Sequence, residues 1–288
     1  MQTTQLSLKD TLPLTCTRAG TCCHGNLVLL NPWELFCLAK EKKNTAREFR
    51  DLYTEFGGIK LRFDGKAGWK GKKACSQYVE GFGCSVHLGR PLACRLFPIG
   101  RQIHSGEIQY IYEGAKFPCL DGCPEVIELP NLSVGEYLQG QETEHYEKAQ
   151  DAYLELMQNL ADMAFELFLD TGLAVSGDTK TLPLWKTMGN EDSEVLANRI
   201  DHEWIDCLTI PEISNNFVDP IAFVQKHTEL LQIKAHEKFN TFNTNQEFHE
   251  ASVKIMGIAL HLAHGIGANR KVLAEHWCDD AIAFLKDQ

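Results

Sequence analysis

The twenty-four residues from Cys75 to Pro98 constrain this chain more than any other stretch. They read CSQYVEGFGCSVHLGRPLACRLFP and hold Cys75, Cys84, His87 and Cys94. Thiolate sulfur is the soft donor that zinc, iron and iron–sulfur centres select. Arg90 and Arg95 flank the third cysteine, where positive charge would favour thiolates and offset the negative charge of a sulfur-bound centre. Gly81, Gly83 and Gly89 are spaced for turns, and Pro91 and Pro98 bracket a short element around Cys94. An earlier knot, Cys16, Cys22 and Cys23, would supply the remaining ligands of the same site, with Gly20 and Gly25 allowing tight backbone around it.

Nine of the eleven cysteines precede residue 124; the others in that half are Cys37, Cys119 and Cys123. A disulfide framework needs an oxidising compartment. The N-terminal residues MQTTQLSLKDTLPLT lack a basic n-region and an apolar h-region, and no apolar run approaches the ~20 residues of a membrane span. The expectation is a cytoplasmic protein with no membrane partner, whose clustered cysteines bind metal. Cys37 sits among Leu35, Phe36 and Leu38 and reads as a core thiol. Cys119 and Cys123, spaced C-x3-C, complete the site, bind a second ion or stay reduced.

Local signals sketch the elements. Residues 1–15 read as a loose lead-in and Asn26 to Leu30 as a buried strand. Asn31, Pro32 and Glu34 start a helix running to about Lys43, and Thr45 with Glu48 starts another that Gly57 and Gly58 end. Ile59 to Phe63 and Tyr78-Val79 read as short strands, and Ile99–Ile103 with Glu107–Tyr112 as a hairpin. Ser133 and Glu136 form a further capping box. Apolar spacing predicts one long helix from Glu142 to Asp170, then a link over 174–190. Further helices are predicted over 193–206, 219–239, 245–264 and 269–286. The fold class expected is α+β: a cysteine-rich metal-binding domain with short strands over 1–130, then an all-α bundle over 131–288.

Charge divides the same way. Residues 1–130 hold 17 Lys+Arg against 13 Asp+Glu, and residues 131–288 hold 11 against 26. So acidic a chain is a poor general binder of nucleic acid, and the basic run Lys60 to Lys73 reads as a solvated loop. His24 could be a ligand, but a loop histidine beside cysteines reads more readily as a hydrogen-bond donor to them or as plain surface. His261 and His264 share a helix face but have apolar neighbours, so they read as packing.

The order Cys16-x5-Cys22-Cys23, Cys75-x8-Cys84 and Arg90-Pro91-x2-Cys94-Arg95-x-Phe97-Pro98 resembles the cysteine-cluster family, also called CxxCxxCC, YkgJ-type or zinc/iron-chelating. The resemblance covers roughly residues 14–125. It departs at Ala19, where the family's opening C-x2-C-G-x-C-C block has its second cysteine. The family includes flagellin lysine-N-methylases, for which an iron–sulfur centre and S-adenosylmethionine are implied. By that resemblance the chain carries a 4Fe-4S cluster or an iron or zinc ion, with a protein as substrate or partner. The ligands are drawn from Cys16, Cys22, Cys23, Cys75, Cys84 and Cys94. Four thiolates suffice for one tetrahedral zinc or one cluster. Two functions stay open: an enzyme such as a protein methylase or related redox enzyme, and a non-catalytic zinc-stabilised interaction module.

Overall fold

The computed structural model describes residues 3–13, 20–104, 107–113, 131–169, 172–213 and 218–286. The fold is α+β, with short strands in small sheets in the N-terminal region and helices after them. The chain forms two compact units, neither continuous in sequence. The first holds Met1–Val28, Phe36–Tyr53 and Leu61–Glu147; the second holds Leu29–Leu35, Thr54–Lys60 and Lys148–Gln288.

In the first unit, Ile99–His104 and Glu107–Glu113 form the expected antiparallel hairpin, with Gln102 opposite Gln109. The lead-in expected over residues 1–15 is instead structured. Thr3–Leu6 adds to the hairpin as its third strand, Leu6 opposite Tyr110, and Thr11–Pro13 pairs with Asn131–Ser133. Both partners lie about a hundred residues away, so local pattern gives no hint of the pairing. Tyr78–Val79, expected as a short strand, pairs with Gly83–Cys84, where the glycine spacing pointed only to a turn. The strand expected over Asn26–Leu30 is reduced to an isolated bridge at Leu29, although Val28 and Leu30 are buried.

Capping chemistry placed the helix starts well. The Asn31 N–H donates to Glu34 Oε2 at 2.9 Å and the Glu34 N–H to Asn31 Oδ1 at 3.0 Å, opening Pro32–Lys42. Thr45 and Glu48 repeat this before Ala46–Tyr53, and Ser133 and Glu136 before Val134–Gly140. The Ala46–Tyr53 helix stops short of the glycines expected to end it, because Thr54–Glu55 is already extended.

The second unit is helical around Asn245–Gly265. Between Ala251 and Ala263 this helix buries every side chain except that of Lys254, which reaches Asp201 Oδ2 at 2.5 Å. A helix apolar on all sides is a core helix. Gly257 lets it approach Ile200, whose Cγ1 would lie 3.3 Å from an added Cβ. The Ser252 hydroxyl donates to the Ala164 carbonyl at 2.9 Å, tying the core helix to Glu144–Leu169. Burying side chains such as Ile258 and Leu260 stabilises by about 1.5–3 kcal/mol each.

Two expectations are corrected here. Residues 174–190 are not all link, since Thr181–Asn190 is a helix. Its Pro183 stands in the first turn, where the missing N–H has no intrahelical partner to lose. The single helix expected over 193–206 is two, Ser193–Ile200 and His202–Thr209. Asp201 breaks it with φ 79°, and its side chain accepts from the Trp204 N–H at 3.1 Å. A left-handed aspartate carries none of the sequence punctuation a glycine would.

Candidate metal centre

The described site cysteines all belong to the first unit. Cys22 and Cys23 lie on a tight turn, Thr21–Cys23, entered through Gly20 at φ 81°. A side chain at position 20 would collide with the Tyr78 ring, whose Cε2 lies 2.2 Å from where Cβ would stand. The Gly20 carbonyl accepts from the Cys23 N–H at 2.9 Å and from His24 Nδ1–H at 2.8 Å. His24 is buried and set edge-on to Tyr78, so it braces the turn as a donor. The next strand is stitched on by the Cys75 N–H donating to the Cys23 carbonyl at 2.7 Å and the Gly25 N–H to the Lys73 carbonyl at 3.0 Å. Cys75 thus faces the Cys22-Cys23 turn, and the Tyr78–Cys84 pairing returns Cys84 beside it.

Cys94 is carried by the short helix Leu92–Leu96, which Pro91 opens. Two buried arginines fix this segment. Arg95, 2% exposed, donates from Nε to the Arg90 carbonyl at 2.9 Å and from Nη1 to the Gln141 carbonyl at 2.6 Å. Its Nη2 reaches the Leu88 carbonyl and the Tyr146 hydroxyl, and the guanidinium lies over the Tyr146 ring at 4.1 Å. Arg90 donates to the His87 carbonyl and to Gln141 Oε1, each at 2.5 Å. The planar fork of arginine suits this multidentate carbonyl clamp. Gly89 allows close approach to the Cys37 carbonyl, 2.7 Å from where its Cβ would stand.

The thiols sense one another. The Cys23 thiol donates to Cys22 and holds Cys22 below the ordinary thiol range, with Arg90 adding in the same direction. Cys23 is correspondingly raised, also by the charges of Cys94 and Cys84. Burial pushes Cys75 up to about 11, assisted by Cys84 and Cys22. Cys22, Cys23, Cys75, Cys84 and Cys94 are each half-buried and none is in a disulfide. Arg90 contributes charge to this group, whereas the contacts of Arg95 run to carbonyls and Tyr146. Cys37 is also half-buried, and its thiol bonds to the Tyr146 hydroxyl. Cys16, Cys119 and Cys123 lie outside the described residues.

The donor chemistry fits zinc or iron, being sulfur throughout. Among the described residues, however, no three His, Cys, Asp or Glu side chains stand close enough together to hold an ion. Sequence reasoning named the sulfurs as candidates. It missed the Arg95 clamp and the brace from His24 to Gly20, which depend on backbone carbonyls that carry no residue signature.

A turn-and-strand scaffold carrying five half-buried cysteines, with buried arginines holding the Cys94 segment, has the donor chemistry of a chelating domain. Residues 15–113 match the model of the CxxCxxCC family, whose description is "Putative zinc- or iron-chelating domain". The match covers about a third of the chain, makes that segment similar to the cysteine-cluster family, and supports binding of a zinc or iron ion. No curated protein and no solved structure matches the chain. No helix among the described residues is long and apolar enough to cross a membrane.

Proposed function

We propose that the first unit chelates a zinc or iron centre through thiolates drawn from Cys22, Cys23, Cys75, Cys84 and Cys94. The observation that carries this reading is the backbone stitching of the cysteine segments, the Cys75 N–H on the Cys23 carbonyl at 2.7 Å and Tyr78 paired with Cys84, inside the stretch that matches a chelating-domain model. Cys16, six residues before Cys22, supplies a further ligand from outside the described residues, and the set closes when the ion binds. Arg90 moderates the negative charge of the bound sulfurs. Arg95 holds the Cys94 segment in place through the carbonyls on either side of it.

Iron is the form we favour. Zinc sites commonly pair two close C-x2-C knuckles, whereas these sulfurs are scattered over long gaps beside arginine. A bound iron–sulfur centre would supply one-electron chemistry, as a redox enzyme or a lysine N-methylase using S-adenosylmethionine would require. The alternative is a zinc-stabilised module that binds a protein partner without catalysis. Methyl transfer from S-adenosylmethionine to protein lysine separates the two.

The ligand assignment is tested by metal content. Cys94→Ala is expected to lower the bound metal and the thermal stability of the first unit together, because binding energy is folding energy in such sites. Cys37→Ala is expected to leave metal content at the wild-type level. Full metal in the Cys94 variant removes that residue from the ligand set, and loss of metal in the Cys37 variant adds one.

A further inference from the structure

A cavity of about 390 Å³ lies within the first unit, beside the cysteines but not lined by them. That volume falls inside the range of roughly 300–1,000 Å³ common to small-molecule sites. Its walls come from residues 20–24, 65–69 and 74–80. The basic run that reads from the sequence as a solvated loop folds back on itself to make one of them. The Gly68 N–H donates to the Lys72 carbonyl and the Gly65 N–H to the Ala74 carbonyl, each at 3.0 Å, and the Ala74 N–H to the Lys66 carbonyl at 3.3 Å. A bridge between His24 and Ala74 fastens this loop to the turn.

One acceptor and three rings line the space. His24 is 5% exposed, and its Nδ1–H is spent on the Gly20 carbonyl at 2.8 Å. A carbonyl only accepts, so in the neutral ring Nε2 carries the lone pair. No hydrogen bond reaches that nitrogen among the described residues. Gly68 keeps the space at Nε2 open, since a Cβ there would lie 2.3 Å from it. The Tyr78 ring stands edge-on to His24, centroids 4.8 Å apart, and the half-buried Trp69 adds an indole to the lining. An acceptor among aromatic rings fits a planar ligand with an O–H or N–H to donate.

Charge selects among planar ligands. Residues 61–73 carry Arg62, Lys66, Lys70, Lys72 and Lys73 against Asp64 alone, and Asp64 already pairs with Arg62 at 3.8 Å. On the cavity wall Lys66 meets Glu80 at 3.5 Å, but the two side chains are 85% and 83% exposed. Water screens so exposed a pair and leaves it weak, so Lys66 can turn to a ligand. The surplus of positive charge around the loop favours an anion.

We propose that this cavity binds a small aromatic anion. The ligand ring packs against Trp69 and Tyr78, its O–H or N–H donates to His24 Nε2, and its negative group is drawn to Lys66. The site requires no metal at the cysteines.

The experiment titrates 4-hydroxybenzoate into the full-length protein by calorimetry. Phenol lacks its charge, benzoate lacks its donor, and 4-hydroxybenzylamine reverses its charge. Saturable binding of 4-hydroxybenzoate is expected, tighter than that of the other three. Trp69→Ala should weaken it about fivefold and Lys66→Gln about threefold. Gly68→Ala, which fills the space at His24 Nε2, should weaken it about tenfold or more; if that variant does not fold, the other two decide. Of the five tryptophans only Trp69 is not buried, the rest being at most 5% exposed. In NMR its indole N–H resonance should therefore shift on addition of 4-hydroxybenzoate while the other four stay in place. No saturable binding of 4-hydroxybenzoate, binding of phenol or of the amine as tight as that of the acid, or an unchanged affinity in Trp69→Ala overturns the proposal.

Discussion

The two units are stabilised by different means. In the first, elements are short, and order comes from polar stitching: carbonyls held by Arg95, a turn braced by His24 and sulfurs that the proposed metal would join. In the second, long helices bury aliphatic and aromatic side chains around Asn245–Gly265. A metal can substitute for apolar core where strands are two or three residues long, whereas a bundle of this size needs none. Removing the metal should therefore act on one unit and cavity mutations on the other.

The largest expected effect is chelation. Structural zinc contributes apparent free energies on the order of 10 kcal/mol in small metal-bound domains. Treatment with a strong chelator is expected to abolish hydrogen-exchange protection across 20–28, 36–53 and 61–104 and leave protection of the core helix unchanged. Equal loss in both units would mean that they are not energetically distinct.

Next comes Leu260→Ala. Leu260 is fully buried in the core helix, so the substitution is expected to cost about 2–5 kcal/mol. Denaturant melting should show that loss with metal content unchanged. Arg95→Lys follows at about 2 kcal/mol, because an ammonium cannot serve the carbonyls of Leu88, Arg90 and Gln141 together. This variant should lower metal affinity as well, and a melting curve that matches wild type would contradict the clamp.

The smallest effect per step of condition is a gradual pH dependence in the second unit. His227 is fully buried; its Nε2–H donates to the Cys207 carbonyl and its Nδ1 accepts from the Tyr153 hydroxyl, each at 2.9 Å. Burial holds it down at about 4 from an ordinary 6.5. Between those values the unfolded chain binds the proton that the folded one refuses, so stability falls as pH drops. His227 alone contributes a loss of at most about 1.4 kcal/mol per pH unit, starting near pH 6.5 and levelling below 4, on top of that from His261 and His264, which burial holds down in the same way. His227→Phe should flatten that part of the profile, and an unchanged slope would exclude His227 as its source.

What could be read from the sequence follows the same division. Capping pairs such as Asn31 with Glu34 and Ser133 with Glu136 fixed helix starts, because both halves of the interaction lie within four residues. The Asp219-Pro220 start of Pro220–Phe239 was equally plain. The Thr3–Leu6 strand was hidden because its partner lies at Glu107–Glu113. Pro183 concealed a helix whose first turn it occupies, and Asp201 broke one without a glycine. At the site, cysteine spacing carried the chemistry. The work of Arg95 was misjudged because charge suggests thiolates as partners, while the structure offers carbonyls. The Tyr153–His227 pair, 74 residues apart, left no pattern to find.

The central claim is that these cysteines hold a metal, and metal and acid-labile sulfide analysis of anaerobically purified full-length protein tests it most directly. Stoichiometric iron or zinc is expected. Iron with inorganic sulfide and broad visible absorption would define the centre as an iron–sulfur cluster, and one colourless zinc per chain as a structural site. Protein that carries neither metal, with Cys22, Cys23, Cys75, Cys84 and Cys94 all freely alkylated in the folded state, would contradict the account.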